Sequence, residues 1–262
     1  MSLELRHISA GYGKTPVLEN VHTRAAKGDF IGLVGPNGAG KSCLLKTIAG
    51  LIKPTEGELG LSGFDLSTFP AKARAKHIAY LAQERNAAWP LTVRELVTLG
   101  RAPFRGPLGD LSKAGESAID QAITAVQCED IMDRRFDHLS GGEQARVLLA
   151  RALAVDAPVL LADEPVASLD PYYQLSIMQS LHAEAIRGKT VIASLHDLGL
   201  AQQFCSRIWV LDKGKLVRDD LAERALGAQI LHEVFGVRRV TDGFALSGDA
   251  AADSVPPPPV QF

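Results

Sequence analysis

The residues best suited to chemistry sit in Gly35-Pro36-Asn37-Gly38-Ala39-Gly40-Lys41-Ser42, which reads G-x-x-x-x-G-K-S. That spacing builds a nest for a chain of phosphates. Its glycines let the backbone curl until successive N–H groups face inward. A helix starting where the loop ends adds unbonded N–H groups and the positive end of its dipole. In such a loop the lysine, here Lys41, reaches the β- and γ-phosphates, and the hydroxyl of Ser42 ligates Mg²⁺. The plain alternative is a glycine-rich turn before an ordinary helix. An apolar run before the loop (Phe30 to Val34), and helical spacing of Leu44, Leu45, Ile48 and Leu51 after it, favour nucleotide binding.

Further along, Leu139-Ser140-Gly141-Gly142-Glu143 contains the S-x-x-E capping box, so a helix starts at Ser140 and continues to about Ala154. Two glycines in its first turn cost about 1 kcal/mol each against alanine. Bare backbone at a helix N-terminus is what a close anion requires, which makes this a second candidate anion site. Val159 to Ala162 is apolar at every residue and runs into Asp163-Glu164-Pro165. Such a run suits the centre of a parallel sheet covered on both faces. In doubly wound sheets a carboxylate at the carboxyl end of a strand lies beside the phosphate loop. Asp163 could then hold Mg²⁺ and Glu164 polarise a water, against the simpler reading of a solvated acidic turn. Three residues are weaker signals when taken alone. Tyr12, between Gly11 and Gly13, could stack on an adenine face or be a surface turn residue; Gln83 carries no meaning by itself; His196 reads more readily as structural than as catalytic.

These side chains need a scaffold, and the chain spells one out. Short strands are expected from Leu3 to about Leu61, with Lys27-Gly28-Asp29 turning into the strand that feeds the loop. Gly50 suits the C′ position of the first helix, and Pro54 prevents its resumption. Ala71 to Lys76 reads as a basic surface helix, and Ile78 to Leu81 as a strand. Thr92 and Glu95 form a capping box for a helix that Gly100 would stop. A loop with Pro103, Gly106, Pro107 and Gly109 follows, then a helix over Ser117 to Gln127. No strand pattern appears there, so residues from about 86 to 155 read as an all-helical insertion in an α/β domain of residues 1–247. Pro171 opens the next helix. Thr190 to Ser194 is a strand with His196-Asp197 at its end, and Ile208 to Val217 a hairpin. Residues 248–262, with four consecutive prolines, read as a disordered tail.

Composition narrows the classes. The chain has 262 residues, net charge −2 and pI near 6.4, without the basic excess of a nucleic-acid or anionic-membrane binder. Cys43, Cys128 and Cys205 are odd in number, widely separated and spaced for no zinc site, as in a reduced cytosolic protein. Met-Ser-Leu-Glu-Leu-Arg lacks the apolar core of a signal peptide, and no run of 18 apolar residues occurs. A soluble chain is expected, reaching a membrane only through a partner.

Taken together, from Tyr12 to about Gly236, these stretches resemble the nucleotide-binding subunit of ABC transporters. The phosphate loop is shared by many NTPases; Leu139-Ser140-Gly141-Gly142 followed by Asp163-Glu164 is specific to this family. The resemblance implies a P-loop NTPase with a mixed, largely parallel sheet, an N-terminal antiparallel β subdomain and an inserted helical subdomain. It implies a Mg²⁺-dependent ATPase in which Tyr12 stacks on adenine and Gly35 through Cys43 cradle the phosphates. Gln83 senses Mg²⁺ and the lytic water, Glu164 is the general base, and Lys41 and His196 stabilise the transferred phosphoryl. Ser42 and Asp163 serve the metal, and Asp170 communicates across a dimer. Two copies pack head to tail, so that Ser140, Gly141 and Gly142 of one close over ATP held by the other. Cys43 departs from a common threonine, losing a hydroxyl donor but keeping the backbone N–H, and Glu143 replaces the commoner glutamine.

Leu91 to Val97 and Leu99 to Phe104 look like the ATPases that serve importers of iron-siderophore, haem or cobalamin. The implied partners are transmembrane permeases and, indirectly, a periplasmic binding protein, with the chain peripheral on the cytoplasmic side of a bacterial inner membrane and with no nucleic acid. An exporter ATPase is the rival with the same chemistry. A non-transport ABC protein is the rival from another class, disfavoured by the lack of a coiled-coil insertion, a tandem second ATPase domain or a basic stripe.

Overall fold

The structure, a computed structural model, describes residues 2–84, 90–106, 111–240 and 243–247. The expected tail at 248–262 lies outside them, as do Pro107, Gly109 and the first residues of the expected helical insertion.

In chain order the elements are β1 (Ser2–Tyr12), β2 (Thr15–Ala26), β3 (Phe30–Val34), α1 (Lys41–Ala49), β4 (Glu56–Leu61), β5 (Phe64–Asp65), α2 (Ala71–Arg74) and β6 (Ile78–Leu81). Then come α3 (Val93–Thr98), α4 (Lys113–Ala125), α5 (Gly141–Leu153), β7 (Val159–Ala162), α6 (Pro171–Ile186), β8 (Thr190–Ser194) and α7 (Leu198–Phe204). The chain closes with β9 (Arg207–Asp212), β10 (Lys215–Leu221), α8 (Ala222–Ala225), α9 (Ala228–Phe235), β11 (Val237–Val240) and β12 (Gly243–Leu246). The main sheet has the order β10-β9-β3-β8-β7-β6, parallel except for β10. A second, antiparallel sheet is ordered β2-β1-β4-β5.

The first two strands are longer than the short strands expected. Leu3 and Leu5 point inward, and so do Ile8 and Ala10, so the alternation slips by one residue between the pairs. A β-bulge there, with His7 at φ 53, absorbs the extra residue and keeps one apolar face on the core. On the sequence alone that slip reads as a break.

The central strands are buried on both sides, and the pleat sorts their side chains. Val159 and Leu161 of β7 join one apolar cluster with Leu44, Leu45 and Ile48 of α1 and with Leu3, Leu5 and Ile8. Leu160 and Ala162 join the other, with Leu148 of α5, Met178 and Leu181 of α6, and Val93, Leu96, Ile119 and Ile123 from the helical segment. Runs such as Val159-Leu160-Leu161-Ala162 show no alternation because each face meets a separate layer.

Between β6 and β7 the described elements are helical, apart from an isolated bridge between Thr92 and Arg135. Both expected capping boxes form, Thr92 with Glu95 and Ser140 with Glu143. Gly50 closes α1 in the left-handed region, its N–H bonded to the carbonyls of Lys46 and Thr47. Gly100 does not stop the chain's coiling: α3 tightens into a 3₁₀ segment, Leu99–Phe104. A side chain at position 100 would strike the carbonyl of Arg151, so the glycine permits close packing on α5. Arg207 ties the turn before β3 to the hairpin after it, bonding Asp29 at 2.6 Å and Asp219 at 2.6 Å.

Candidate active site

The phosphate-type loop follows β3 and ends at Gly40, the N-cap of α1, whose φ of 103 is a conformation few residues but glycine adopt. A Cβ at Gly35 would collide with the carbonyl of Leu211, so the loop rests directly on β9. The β9–β10 turn also supports it, through a bond from the Gly214 N–H to the Ala39 carbonyl at 3.0 Å. Lys41 is 6% exposed, and its ammonium donates to the carbonyls of Gly35 (2.8 Å) and Pro36 (3.1 Å). Burial lowers its pKa, opposed by the nearby charges of Glu164 and Asp163. Cys43 turns its thiol into the apolar cluster beneath α1, and burial pushes its pKa up. Only its backbone is left for the loop.

Asp163, just beyond β7, is 1% exposed. Its Oδ1 accepts from Ser42 Oγ at 3.0 Å and from Ser194 Oγ at 2.8 Å, and its Oδ2 accepts from the Tyr80 hydroxyl at 3.1 Å. The solvated acidic turn is thus excluded for this residue. Burial and the Asp163 charge push the Tyr80 phenol far up, so it stays a donor. Glu164 lies on the other side of the strand end with a left-handed φ of 48. Its Oε1 accepts from His196 Nε2 at 2.7 Å and its Oε2 from Gln83 Nε2 at 2.8 Å. Ser194 joins the two acids, donating to Asp163 while accepting from the Glu164 N–H at 2.7 Å.

The structure therefore gathers Lys41, Ser42, Asp163, Glu164, Gln83 and His196. Gln83 turns its amide to Glu164 rather than to the Ser42–Asp163 pair. Tyr12 is half exposed at the end of β1. Ser140 caps α5 and is engaged with Glu143. Gly141 has open space around it, whereas a Cβ at Gly142 would run into the ring of Tyr173, so packing inside this chain already demands that glycine. Asp170 caps α6, accepting from the Tyr173 N–H at 3.1 Å. Sequence reasoning missed Ser194 and Tyr80. Each sits on an apolar strand beside a motif, and only the shared strand face could have pointed to them.

With this geometry in hand, comparison with known proteins decides the family. The sequence pattern of the ABC transporter family matches residues 18–167. The chain belongs to that family. Among the similar proteins is a hemin import ATP-binding protein from Nocardia farcinica, 40% identical over 84% of this chain and 75% of its own length. A petrobactin import ATP-binding protein from Bacillus anthracis is 38% identical over 83% of this chain and 80% of its own length. The ferric enterobactin transport ATP-binding protein of Escherichia coli is 33% identical over 88% and 84%. Among solved structures, a dimeric ATP-binding cassette in a post-hydrolysis state with ADP and Pi is similar at 31% identity and a TM-score of 0.74. That match covers 84% of this chain and 98% of the other. This ABC cassette thus has the fold of an ATP-hydrolysing P-loop enzyme, and among its described residues no helix is long and apolar enough to cross a membrane.

Proposed function

We propose that this cassette hydrolyses ATP to power a membrane importer of iron-siderophore, haem or cobalamin, working as a head-to-tail homodimer beneath two permease subunits. It would sit on the cytoplasmic side of a bacterial inner membrane and draw cargo indirectly from a periplasmic substrate-binding protein. The chemistry is supported chiefly by one observation. The end of β7 delivers one acid, Asp163, to the hydroxyl of the loop's Ser42, and the next, Glu164, to Gln83 and His196. The import assignment is supported by the relatives named above.

Gly35, Pro36, Asn37, Gly38, Ala39, Gly40 and the backbone of Lys41, Ser42 and Cys43 would cradle the phosphates, with Tyr12 against the adenine. The donor set fits Mg²⁺: a hydroxyl and a buried carboxylate are hard oxygen ligands. Ser42 and Asp163 would hold it, with Gln83 beside them; when bound, Mg²⁺ neutralises charge on the β- and γ-phosphate oxygens. Glu164 takes the proton of the attacking water, while Lys41 and His196 meet the charge that develops on the transferred phosphoryl group. Ser140, Gly141 and Gly142 of the twin chain would close the pocket, and Asp170 would carry the signal across the interface. Glu164→Gln should then bind ATP and dimerise but release phosphate hardly at all. Near-normal turnover of that variant, followed by phosphate release, would remove Glu164 from the role. Cargo class is tested by reconstituting the cassette with its permeases and asking which chelate, with its binding protein, accelerates phosphate release.

A further inference from the structure

Asp163 is held from three directions, and only one of the three donors belongs to the phosphate loop. The hydroxyls of Ser42 and Ser194 both point at Oδ1, while among the described residues Oδ2 is engaged by Tyr80 alone. Tyr80 reaches it because β6 and β7 are parallel neighbours in register, Tyr80 beside Leu161 and Leu81 beside Ala162. Side chains two apart share a face, so the residue following Leu161 on that face is Asp163. The phenol and the carboxylate therefore meet behind the loop, on the side covered by α1. The backbone fixes this approach as well, through the bond from the Asp163 N–H to the Leu81 carbonyl at 2.9 Å.

A carboxylate turns freely about its Cβ–Cγ bond unless both oxygens are held. Here Ser194 holds one and Tyr80 the other, so the carboxyl plane is set before any ligand arrives. We infer that Tyr80 is a positioning residue for Asp163, making it present a single oxygen to the metal. This rests on the reading of Asp163 as a metal-holding residue. The consequence is selectivity among cations. Mg²⁺ demands a near-ideal octahedron, in which each carboxylate contributes one oxygen, whereas Ca²⁺ accepts six to eight oxygens and takes carboxylates in one- or two-oxygen fashion. A phenol bonded to Oδ2 competes with a cation for that oxygen and so disfavours the two-oxygen mode. Tyr80→Phe keeps the ring and removes the competitor.

The test measures cation binding rather than turnover. Mn²⁺ bound to the cassette in the presence of ADP is followed by electron paramagnetic resonance and displaced by Mg²⁺ or by Ca²⁺, in wild type, Tyr80→Phe and Asp163→Asn. Loss of a group supporting a metal ligand costs roughly 10–100-fold in metal affinity. Tyr80→Phe should therefore weaken Mg²⁺ by about tenfold or more while leaving Ca²⁺ much less affected, moving the Mg²⁺/Ca²⁺ ratio toward Ca²⁺. Because the ratio comes from one sample, it does not depend on how much of the variant is folded. A purely structural phenol would lower the melting temperature and leave the ratio unchanged, and that result overturns the inference. If Asp163→Asn also binds Mg²⁺ like wild type, the underlying reading of Asp163 fails; if only Tyr80→Phe does, the role of Tyr80 alone fails.

Discussion

Gly142, in the first turn of α5, lies so close beneath Tyr173, in the first turn of α6, that a single methyl group on it would enter the ring. The helix starting in the glycine signature is thereby locked to the helix that follows Asp163 and Glu164, and Arg146 adds a cation 5.3 Å from the same ring. In an exposed helix Gly→Ala stabilises by up to about 1 kcal/mol. Here the clash decides the sign. Gly142→Ala should lower stability by about 1–3 kcal/mol, as overpacking does, and Tyr173→Ala in the same chain should recover part of that loss. Urea unfolding of the four variants of this cycle measures it; simple additivity would show that the two positions do not meet.

Ser194 is fully buried and serves both acids. Ser194→Ala leaves the Glu164 N–H without a partner and takes one donor from Asp163. Stranding such groups costs about 1–3 kcal/mol. Thermal unfolding should register that loss together with reduced phosphate release, whereas Ser194→Thr should retain more of both.

Glu164 is held on each oxygen by a different element, Gln83 after β6 and His196 after β8. His196→Ala and Gln83→Ala should each lower kcat by about 10²-fold or more, in line with the general range for acid–base groups, with ATP affinity by nucleotide titration little changed. A loss confined to KM would assign these residues to binding.

The three cysteines are buried free thiols. Burial pushes the Cys128 thiol up to about 11 and the Cys205 thiol up to about 12, from an ordinary 9.0. The reactive species is the thiolate, so native protein at pH 8 should resist iodoacetamide at both positions while urea-unfolded protein reacts. Because the folded pKa values are raised, folding keeps the proton that the unfolded chain gives up. The contribution of these thiols to stability is thus full below about pH 9 and is lost as the pH climbs through about 11 and 12. Mass spectrometry after labelling at pH 8, 9 and 10 checks the reactivity.

Leu45 is fully buried under the loop, within the cluster that joins α1 to both sheets. Leu45→Ala should cost about 2–5 kcal/mol, as leucine truncation in a packed core does, and weaken ATP binding by loosening the start of α1. Urea unfolding and nucleotide titration on one preparation separate the two effects.

Much of this architecture was legible because local chemistry repeats global need. Gly50 marked the end of α1, Ser140 with Glu143 marked the start of α5, and the uninterrupted apolar run from Val159 to Ala162 marked a strand covered on both faces. What stayed hidden depends on contacts between distant segments. The bulge at His7 is invisible without its partner strand, and the need for glycine at 100 and 142 is set by Arg151 and Tyr173 rather than by local turn geometry. Tyr80 and Ser194 escaped for a similar reason, since neither belongs to a local motif and only the pairing of β6, β7 and β8 brings them to Asp163.

The pleat of β7 has a genetic consequence. Val159 and Leu161 face one layer, Leu160 and Ala162 the other, and the two acids continue that sequence of sides. Deleting one codon within this strand would deliver glutamate to the serine of the loop, and duplicating one would deliver aspartate to the imidazole. Transposing the dipeptide to Glu-Asp would do both while leaving composition and charge untouched. Reading frame at the level of single residues, rather than acidity, is what natural variation must preserve here.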